Sequence, residues 1–129
     1  MKSFASLAVL LVEDEYLIAL EAQQMLEDMG VQSIEVASTW NAAAKKAEEG
    51  QFDVAILDVN LNGRLSFPIA TTLSERGVPV VFASGYDLRE RGSAGVDGVY
   101  VTKPYTSDRV RQALLTALTR SADRKESRL

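Results

Sequence analysis

The sequence contains no cysteine and no histidine among its 129 residues. The absence of cysteine excludes disulfide bonds and thiolate metal sites, and it fits a reducing compartment, so we expect a cytoplasmic protein. The absence of histidine excludes a Ser-His-Asp triad, a histidine-ligated zinc site and a phosphohistidine on this chain. Any chemistry that needs an imidazole must therefore come from a partner.

Long apolar runs are also lacking, and no cluster of Lys and Arg lies on a predicted helix before the last dozen residues. The longest apolar run, residues 7–12, is far too short to span a bilayer, and the start of the chain shows no convincing signal peptide. The net charge is −4, which disfavours contact with polyanions. We therefore expect a soluble acidic protein that binds neither membranes nor nucleic acid directly.

Two kinds of segment alternate along the chain. Continuous runs rich in Val, Ile and Leu predict strands that are covered on both faces, and they occupy residues 7–12, 54–57 and 78–82. Shorter, partly alternating runs at residues 33–36 and 98–101 predict more peripheral strands. Helical segments with apolar residues at helical spacing connect these strands. The first ends at Gly30, and the others begin at Ser38 or Thr39, at Pro68, and at Thr106 or Ser107.

The order is strand followed by helix, repeated five times, which predicts parallel pairing through right-handed crossovers and an open α/β sheet. The fourth helical segment, residues 86–94, is charged and flanked by glycine, and it predicts a short or mobile helix. We expect one domain over residues 1–120. The polar, charged tail at residues 121–129 is expected to be disordered.

Polar side chains follow four of the predicted strands, and ligands of an open parallel sheet bind at these carboxyl ends. Glu13 and Asp14 follow the first strand, Asp58 the third, Ser84 the fourth and Lys103 the fifth. Clustered carboxylates either take up a proton or recruit a cation, and Mg²⁺ prefers such oxygen ligands. A carboxylate can also accept a phosphoryl group, whose charge a hydroxyl and an ammonium group would stabilise. Each residue alone has a structural explanation as a cap or turn residue; the prediction depends on their combination.

The sequence around these residues resembles the CheY-like receiver domains of response regulators, over about residues 5–120. The matching motifs are Val-Leu-Leu-Val-Glu-Asp-Glu ending at Glu15, Ala-Ile-Leu-Asp-Val-Asn-Leu around Asp58, Val-Val-Phe-Ala-Ser-Gly-Tyr ending at Tyr86, and Tyr-Val-Thr-Lys-Pro-Tyr starting at Tyr100. The resemblance implies a flavodoxin-like (βα)5 doubly wound parallel sheet of strand order 2-1-3-4-5. The Phe-Ala-Ser-Gly-Tyr segment resembles a subgroup of often free-standing receivers.

The resemblance also implies a role for each site residue. Asp58 would be the phosphoacceptor. Asp14 and Asp58 would bind Mg²⁺ through their side chains, Asn60 through its backbone carbonyl, and Glu13 directly or through water. Ser84 and Lys103 would contact the phosphoryl group.

Further residues match positions that surround the phosphoryl site in the family. Tyr100 would be the switch aromatic, which moves together with Ser84, and the bond before Pro104 is expected to be cis. Gly85 leaves the site open, and Tyr86 would screen it from water, so that Tyr86→Ala should change the lifetime of the aspartyl phosphate. Tyr105 is interpreted as a packing residue.

The implied function is that of a stand-alone receiver in two-component signal transduction. A sensor histidine kinase or phosphotransfer protein would phosphorylate Asp58, and the chain would signal to an unknown effector protein or act as a phosphate sink. Its own activity would be limited to Mg²⁺-dependent autophosphorylation and slow self-dephosphorylation. We expect a monomer or a phosphorylation-dependent dimer.

Two other functions compete with this interpretation. The first is a phosphatase or phosphotransferase of the haloacid-dehalogenase type, but that chemistry usually needs a second acid two residues after the nucleophile, where this chain has Asn60. The second is a binding module that works without phosphorylation. The sequence also departs from the usual family pattern after the acceptor, where Leu61 and Asn62 replace Met-Pro and a Gly63-Arg64 turn follows.

Overall fold

The computed structural model describes residues 3–85 and 98–127, with side chains as far as residue 124. A single 3₁₀ turn, Phe4–Ser6, precedes the first strand. In chain order the elements are then β1 (Ala8–Val12), α1 (Tyr16–Asp28), β2 (Ser33–Ala37), α2 (Trp40–Glu49), β3 (Val54–Asp58), β4 (Asn60–Leu61), β5 (Arg64–Leu65), α3 (Phe67–Glu75), β6 (Val80–Ser84), β7 (Val99–Thr102) and α4 (Ser107–Ser127).

Five of the strands form one parallel sheet in the order β2-β1-β3-β6-β7. Because β4 and β5 belong to a separate hairpin, this order is the predicted 2-1-3-4-5, and the predicted fold class is confirmed. The two peripheral strands are the ones whose sequences are short and partly alternating. In the register, Val12 lies beside Leu57 and Asp58 beside Ala83, so the carboxyl ends of the three central strands are level.

Alternating side chains of the strands enter two separate core layers. On one face, Leu10, Leu57 and Phe82 pack with the buried residues of α2 and α3. On the other face, Leu11 and Ile56 pack with those of α1 and α4. Burial on both faces explains why the central strands are continuous apolar runs. The same packing holds the carboxyl ends of these strands in place.

The predicted helix caps lie where the helices begin and end. Thr39 Oγ1 accepts a hydrogen bond of 3.1 Å from the N–H of Ala42 at the start of α2. Thr106 Oγ1 accepts one of 3.2 Å from the N–H of Arg109 in α4. Gly30, which follows α1, has a φ of 105°, a conformation that a side chain would strain.

Two features differ from the sequence-based expectations. The segment after Asp58 forms a two-stranded hairpin, although only a turn was expected there. The last helix continues to Ser127 and so includes residues 121–127, which the sequence analysis assigned to the tail. They include Ala, Arg, Lys and Glu but neither Gly nor Pro, and this composition allows a helix to extend.

The short helix expected at residues 86–94 lies outside the described residues. Among the residues that the structure does describe, no helix is both long and apolar enough to cross a membrane. The division of the chain into a domain of residues 1–120 and a tail stays a prediction.

Candidate functional site

Three carboxylates meet at the carboxyl end of the sheet. Glu13 and Asp14 directly follow β1, and Asp58 is the last residue of β3, which pairs with β1. One carboxylate oxygen from each of the three lies within 4.8 Å of the others. A hard divalent cation such as Mg²⁺ prefers oxygen ligands, so this donor set fits the predicted cation.

Lys103 provides the positive charge that these carboxylates lack. Its Nζ lies 2.9 Å from Asp58 Oδ2 and 2.5 Å from Glu13 Oε1. The backbone holds this residue in place, since the N–H of Lys103 donates a 2.8 Å hydrogen bond to the carbonyl of Ser84. The bond between Lys103 and Pro104 is cis, as the resemblance implied.

Glu13 is fully buried, and its pKa is raised from 4.5 to about 7 as the net result of opposing effects. Burial is the largest of these and raises the pKa, as does the negative charge of Asp58, whereas Lys103 and a 3.1 Å hydrogen bond from the N–H of Glu15 lower it. Burial also lowers the pKa of Lys103, but its two carboxylate partners outweigh burial, and the net shift is upward. Lys103 therefore stays charged at neutral pH, while Glu13 is poised between its two protonation states.

Tyr105 also reaches the acidic site, which the sequence interpretation missed. Its ring packs against the core layer below α4, as expected. Burial raises its pKa well above the ordinary value, and the negative charges of Glu13 and Asp58 and a hydrogen bond with Glu13 act in the same direction. Because the phenol stays protonated, its hydroxyl can donate to the carboxylate of Glu13.

The hairpin after β3 contributes backbone groups to the same site. The N–H of Asn60 donates a 3.3 Å hydrogen bond to Asp58 Oδ1, and the N–H of Asn62 donates one of 3.0 Å to Asp14 Oδ2. The side-chain oxygen of Asn60 accepts from the N–H of Gly63 at 2.6 Å, so its amide stabilises the turn. The sequence analysis did not single out Asn62 as a site residue, although the Asn-Gly pair is a strong hairpin signal.

Ser84 and Gly85 line a cleft of about 580 Å³ together with residues that include Asp14, Asp58 and Lys103. Ser84 ends β6 and is only 6% exposed. A Cβ added to Gly85 would meet no heavy atom of the described residues within 4 Å. Tyr86 lies outside the described residues.

Tyr100 lies on β7, opposite Phe82 of the neighbouring strand β6. It is half-buried, and its ring stacks on that of Phe82 with a centroid distance of 4.9 Å and an interplanar angle of 24°. Phe82 in turn contacts the ring of Phe67 at 5.2 Å. Tyr100 is thus connected to the first residue of α3 through a row of aromatic rings.

The fold and the site together define a class: a doubly wound α/β protein with three carboxylates and a lysine at the carboxyl end of its parallel sheet. The family model described as the response regulator receiver domain matches residues 9–115. The chain belongs to this family, which functions in two-component systems. Receiver domains are not enzymes apart from phosphorylation on an aspartate, and they interact with histidine kinases or phosphotransfer proteins and with effectors.

Two curated relatives show how much of a longer protein the chain covers. The sensory transduction protein LytT of Bacillus subtilis (strain 168) is 33% identical over 112 residues, which are 84% of this chain and 46% of LytT. The transcriptional regulatory protein PdtaR of Mycobacterium tuberculosis (strain H37Rv) is 29% identical over 116 residues, or 87% of this chain and 57% of PdtaR. The chain thus spans about half the length of these relatives.

Solved structures with the same fold include proteins of similar length. The solution structure of SdrG from Sphingomonas melonis Fr1 is 36% identical, with a TM-score of 0.72, and the match covers 92% of this chain and 99% of SdrG. A response regulator receiver protein from Sinorhizobium medicae WSM419 is 25% identical, with a TM-score of 0.81 and the same coverage.

Proposed function

We propose that this chain is a stand-alone response-regulator receiver that accepts a phosphoryl group on Asp58. The observation that carries the proposal is the ion pair between Asp58 and Lys103 beside two further carboxylates at one edge of the sheet. The match to SdrG, which extends over nearly the whole of both chains, supports a receiver without an attached output domain.

The phosphoryl donor would be a histidine of a sensor kinase or phosphotransfer protein, because this chain has no histidine of its own. One carboxylate oxygen of Asp58 attacks the phosphorus, a new P–O bond forms, and the P–N bond to the donor imidazole breaks. The imidazole leaves with the bonding electron pair and takes up a proton. Asp14, Asp58, Glu13 and the backbone carbonyl of Asn60 would hold Mg²⁺, which when bound neutralises phosphoryl oxygens.

Other residues would stabilise the charge of the transferred phosphoryl group and change conformation in response to it. Lys103 would remain paired with the phosphorylated Asp58, and the hydroxyl of Ser84 would donate to a phosphoryl oxygen. Movement of Ser84 would leave room for Tyr100 to turn inward, which is the proposed switch. The new charge shifts a two-state equilibrium, and the output would be a partner protein or removal of phosphoryl groups from a kinase, in the cytoplasm.

The geometry around Asn60 disfavours the competing phosphatase. A second acid is missing at this position, and the amide that replaces it is already hydrogen-bonded to Gly63. A general acid for a leaving alcohol is therefore absent two residues after Asp58. Asp58 would accordingly be phosphorylated without rapid turnover of phosphate esters.

The test is incubation with Mg²⁺ and a small acyl-phosphate donor, followed by intact-mass measurement. The wild type should gain the mass of one phosphoryl group, and both Asp58→Asn and omission of Mg²⁺ should abolish the gain. Asp28→Asn, the same change on an exposed aspartate at the far end of α1, is the matched control and should label like the wild type. An unlabelled wild type would instead support the binding module that works without phosphorylation.

A further inference from the structure

The hairpin that follows Asp58, here called the acceptor hairpin (Asn60–Leu65), is built by the sequence itself. Strands β4 and β5 pair antiparallel, with Asn60 opposite Leu65. The turn residues Asn62 and Gly63 have φ angles of 52° and 89°, which the Asn-Gly pair adopts more readily than other residues. The hairpin is therefore a defined structure rather than a loose connection.

The turn of the acceptor hairpin contacts the acidic site directly. The N–H of Asn62 donates to Asp14 Oδ2 at 3.0 Å. One oxygen of Asp14 thus has its direction set by the backbone of the hairpin. A shift of the turn by a fraction of this distance would change where Asp14 presents its oxygens, because hydrogen bonds weaken quickly with distance and angle.

The opposite side of the acceptor hairpin is fixed to the first residue of α2. The guanidinium carbon of Arg64 lies 3.4 Å from the centre of the Trp40 ring, well within the range of a cation–π contact. Trp40 Nε1 donates a 3.0 Å hydrogen bond to the carbonyl of Leu65. Both contacts act on β5, and the capped start of α2 is the rigid element to which they connect it.

We propose that Trp40 and Arg64 are positioning residues for the acidic site. They hold β5, β5 holds β4 through the hairpin register, and the turn between them orients Asp14 for a divalent cation. The identity of that cation rests on the proposed function, whereas the connection between Trp40 and Asp14 does not. Because coupling between two sites is reciprocal, a substitution at Asp14 must also change the environment of the Trp40 side chain.

The first test needs no metal and uses the fact that Trp40 is the only tryptophan of the chain. A ¹H–¹⁵N spectrum of the whole protein therefore contains a single indole N–H signal, which can be assigned to Trp40 without further experiments. Asp14→Ala removes the acceptor of the Asn62 N–H and should shift this signal. Glu21→Ala, which removes an exposed carboxylate from α1, is the control and should leave the indole signal unchanged. An indole signal that does not respond to Asp14→Ala overturns the proposal.

The second test measures Mg²⁺ affinity by calorimetry in wild type and Arg64→Ala. Loss of a positive charge from the protein should by itself strengthen cation binding, if it has any electrostatic effect. The proposal requires the opposite, a weakening of about threefold or more, as expected for loss of a cation–π contact that orients a ligand. Lys45→Ala, which removes an exposed positive charge from α2, should not weaken binding. Arg64→Lys, which keeps a cation over the ring, should give an intermediate affinity.

Thermal unfolding of each variant separates positioning from a purely structural role. A lower melting temperature for Arg64→Ala with unchanged Mg²⁺ affinity overturns the positioning role of Arg64. This result would not contradict the proposal that Asp58 is phosphorylated. A wild type that binds no Mg²⁺ overturns both this inference and the proposed cation. A wild type that binds Mg²⁺ and shows the predicted Arg64 effect, yet does not label on Asp58, supports the positioning role and contradicts only the phosphoacceptor.

Discussion

Lys103 Nζ lies 2.9 Å from Asp58 Oδ2, so the candidate phosphoacceptor already has a positive partner before any phosphoryl group arrives. The same ammonium group lies 2.5 Å from Glu13 Oε1, and it is shared between two carboxylates at the sheet edge. Only 13% of the Lys103 side chain is exposed, which makes this a largely desolvated ion pair rather than a surface contact. The stability of the metal-free protein should therefore depend on this one cation.

Substitution of Lys103 by Met should destabilise the metal-free protein. Removing one partner of a buried ion pair leaves uncompensated charge, which costs about 3–5 kcal/mol. Mg²⁺ should restore part of this loss, because it supplies positive charge to the same carboxylates. Urea unfolding at neutral pH with and without Mg²⁺ measures both effects. Lys45→Met, at an exposed position, should change the free energy of unfolding by less than about 0.5 kcal/mol; equal losses for the two variants would contradict the prediction.

The raised pKa of Glu13 predicts how stability depends on pH in the absence of metal. The folded value of about 7 exceeds the unfolded value of 4.5, so the folded state binds more protons between these values. The contribution of Glu13 to the free energy of unfolding should accordingly fall by roughly 1–3 kcal/mol as pH rises from 4.5 to 7. Above pH 7 it should stay at this lower value.

Chemical denaturation of wild type and Glu13→Gln over pH 4.5–8, with a chelator present, isolates this contribution. The neutral Gln removes the titrating group, so the difference between the two proteins should grow in favour of the variant as pH rises. A difference that is constant across this range would show that Glu13 keeps an ordinary pKa.

The strand ends were the part of the site that could be predicted from sequence. Buried parallel strands have distinctive apolar runs, so Asp58 and Lys103 could be located at one edge before any coordinates were known. The hydroxyl of Tyr105 could not, because its contact with Glu13 depends on how the ring packs and not on the order of residues. The acceptor hairpin was read only as a turn, since two-residue strands are too short to show alternation.

Gly98 should tolerate no side chain, because of its position beside Phe82. A Cβ at residue 98 would lie 2.7 Å from the Phe82 ring and 3.1 Å from the carbonyl of Val80. Phe82 is fully buried and packed between Phe67 and Tyr100, so its ring has little freedom to move. Gly98→Ala should lower the free energy of unfolding by about 1–3 kcal/mol.

Urea unfolding measures this cost, and adding Phe82→Leu should make Gly98→Ala less costly than it is in the wild type. A cost that stays the same in both backgrounds would mean that the Phe82 ring is not the obstacle.

Gly85 should control how easily water reaches a phosphorylated Asp58. It lines the same cleft as Asp58 and Ser84, and no heavy atom of the described residues lies within 4 Å of the place where its Cβ would be. Gly85→Ala and Gly85→Leu should therefore fold normally and fill the cleft to increasing degrees. Because a water molecule must attack the phosphorus for hydrolysis, exclusion of water should slow loss of the phosphoryl group. After removal of the donor, intact-mass measurements over time should show that the phosphorylated fraction decays more slowly in Gly85→Ala than in wild type. In Gly85→Leu the decay should be several-fold slower than in wild type. Equal decay rates across the series would mean that water reaches the acceptor by another route.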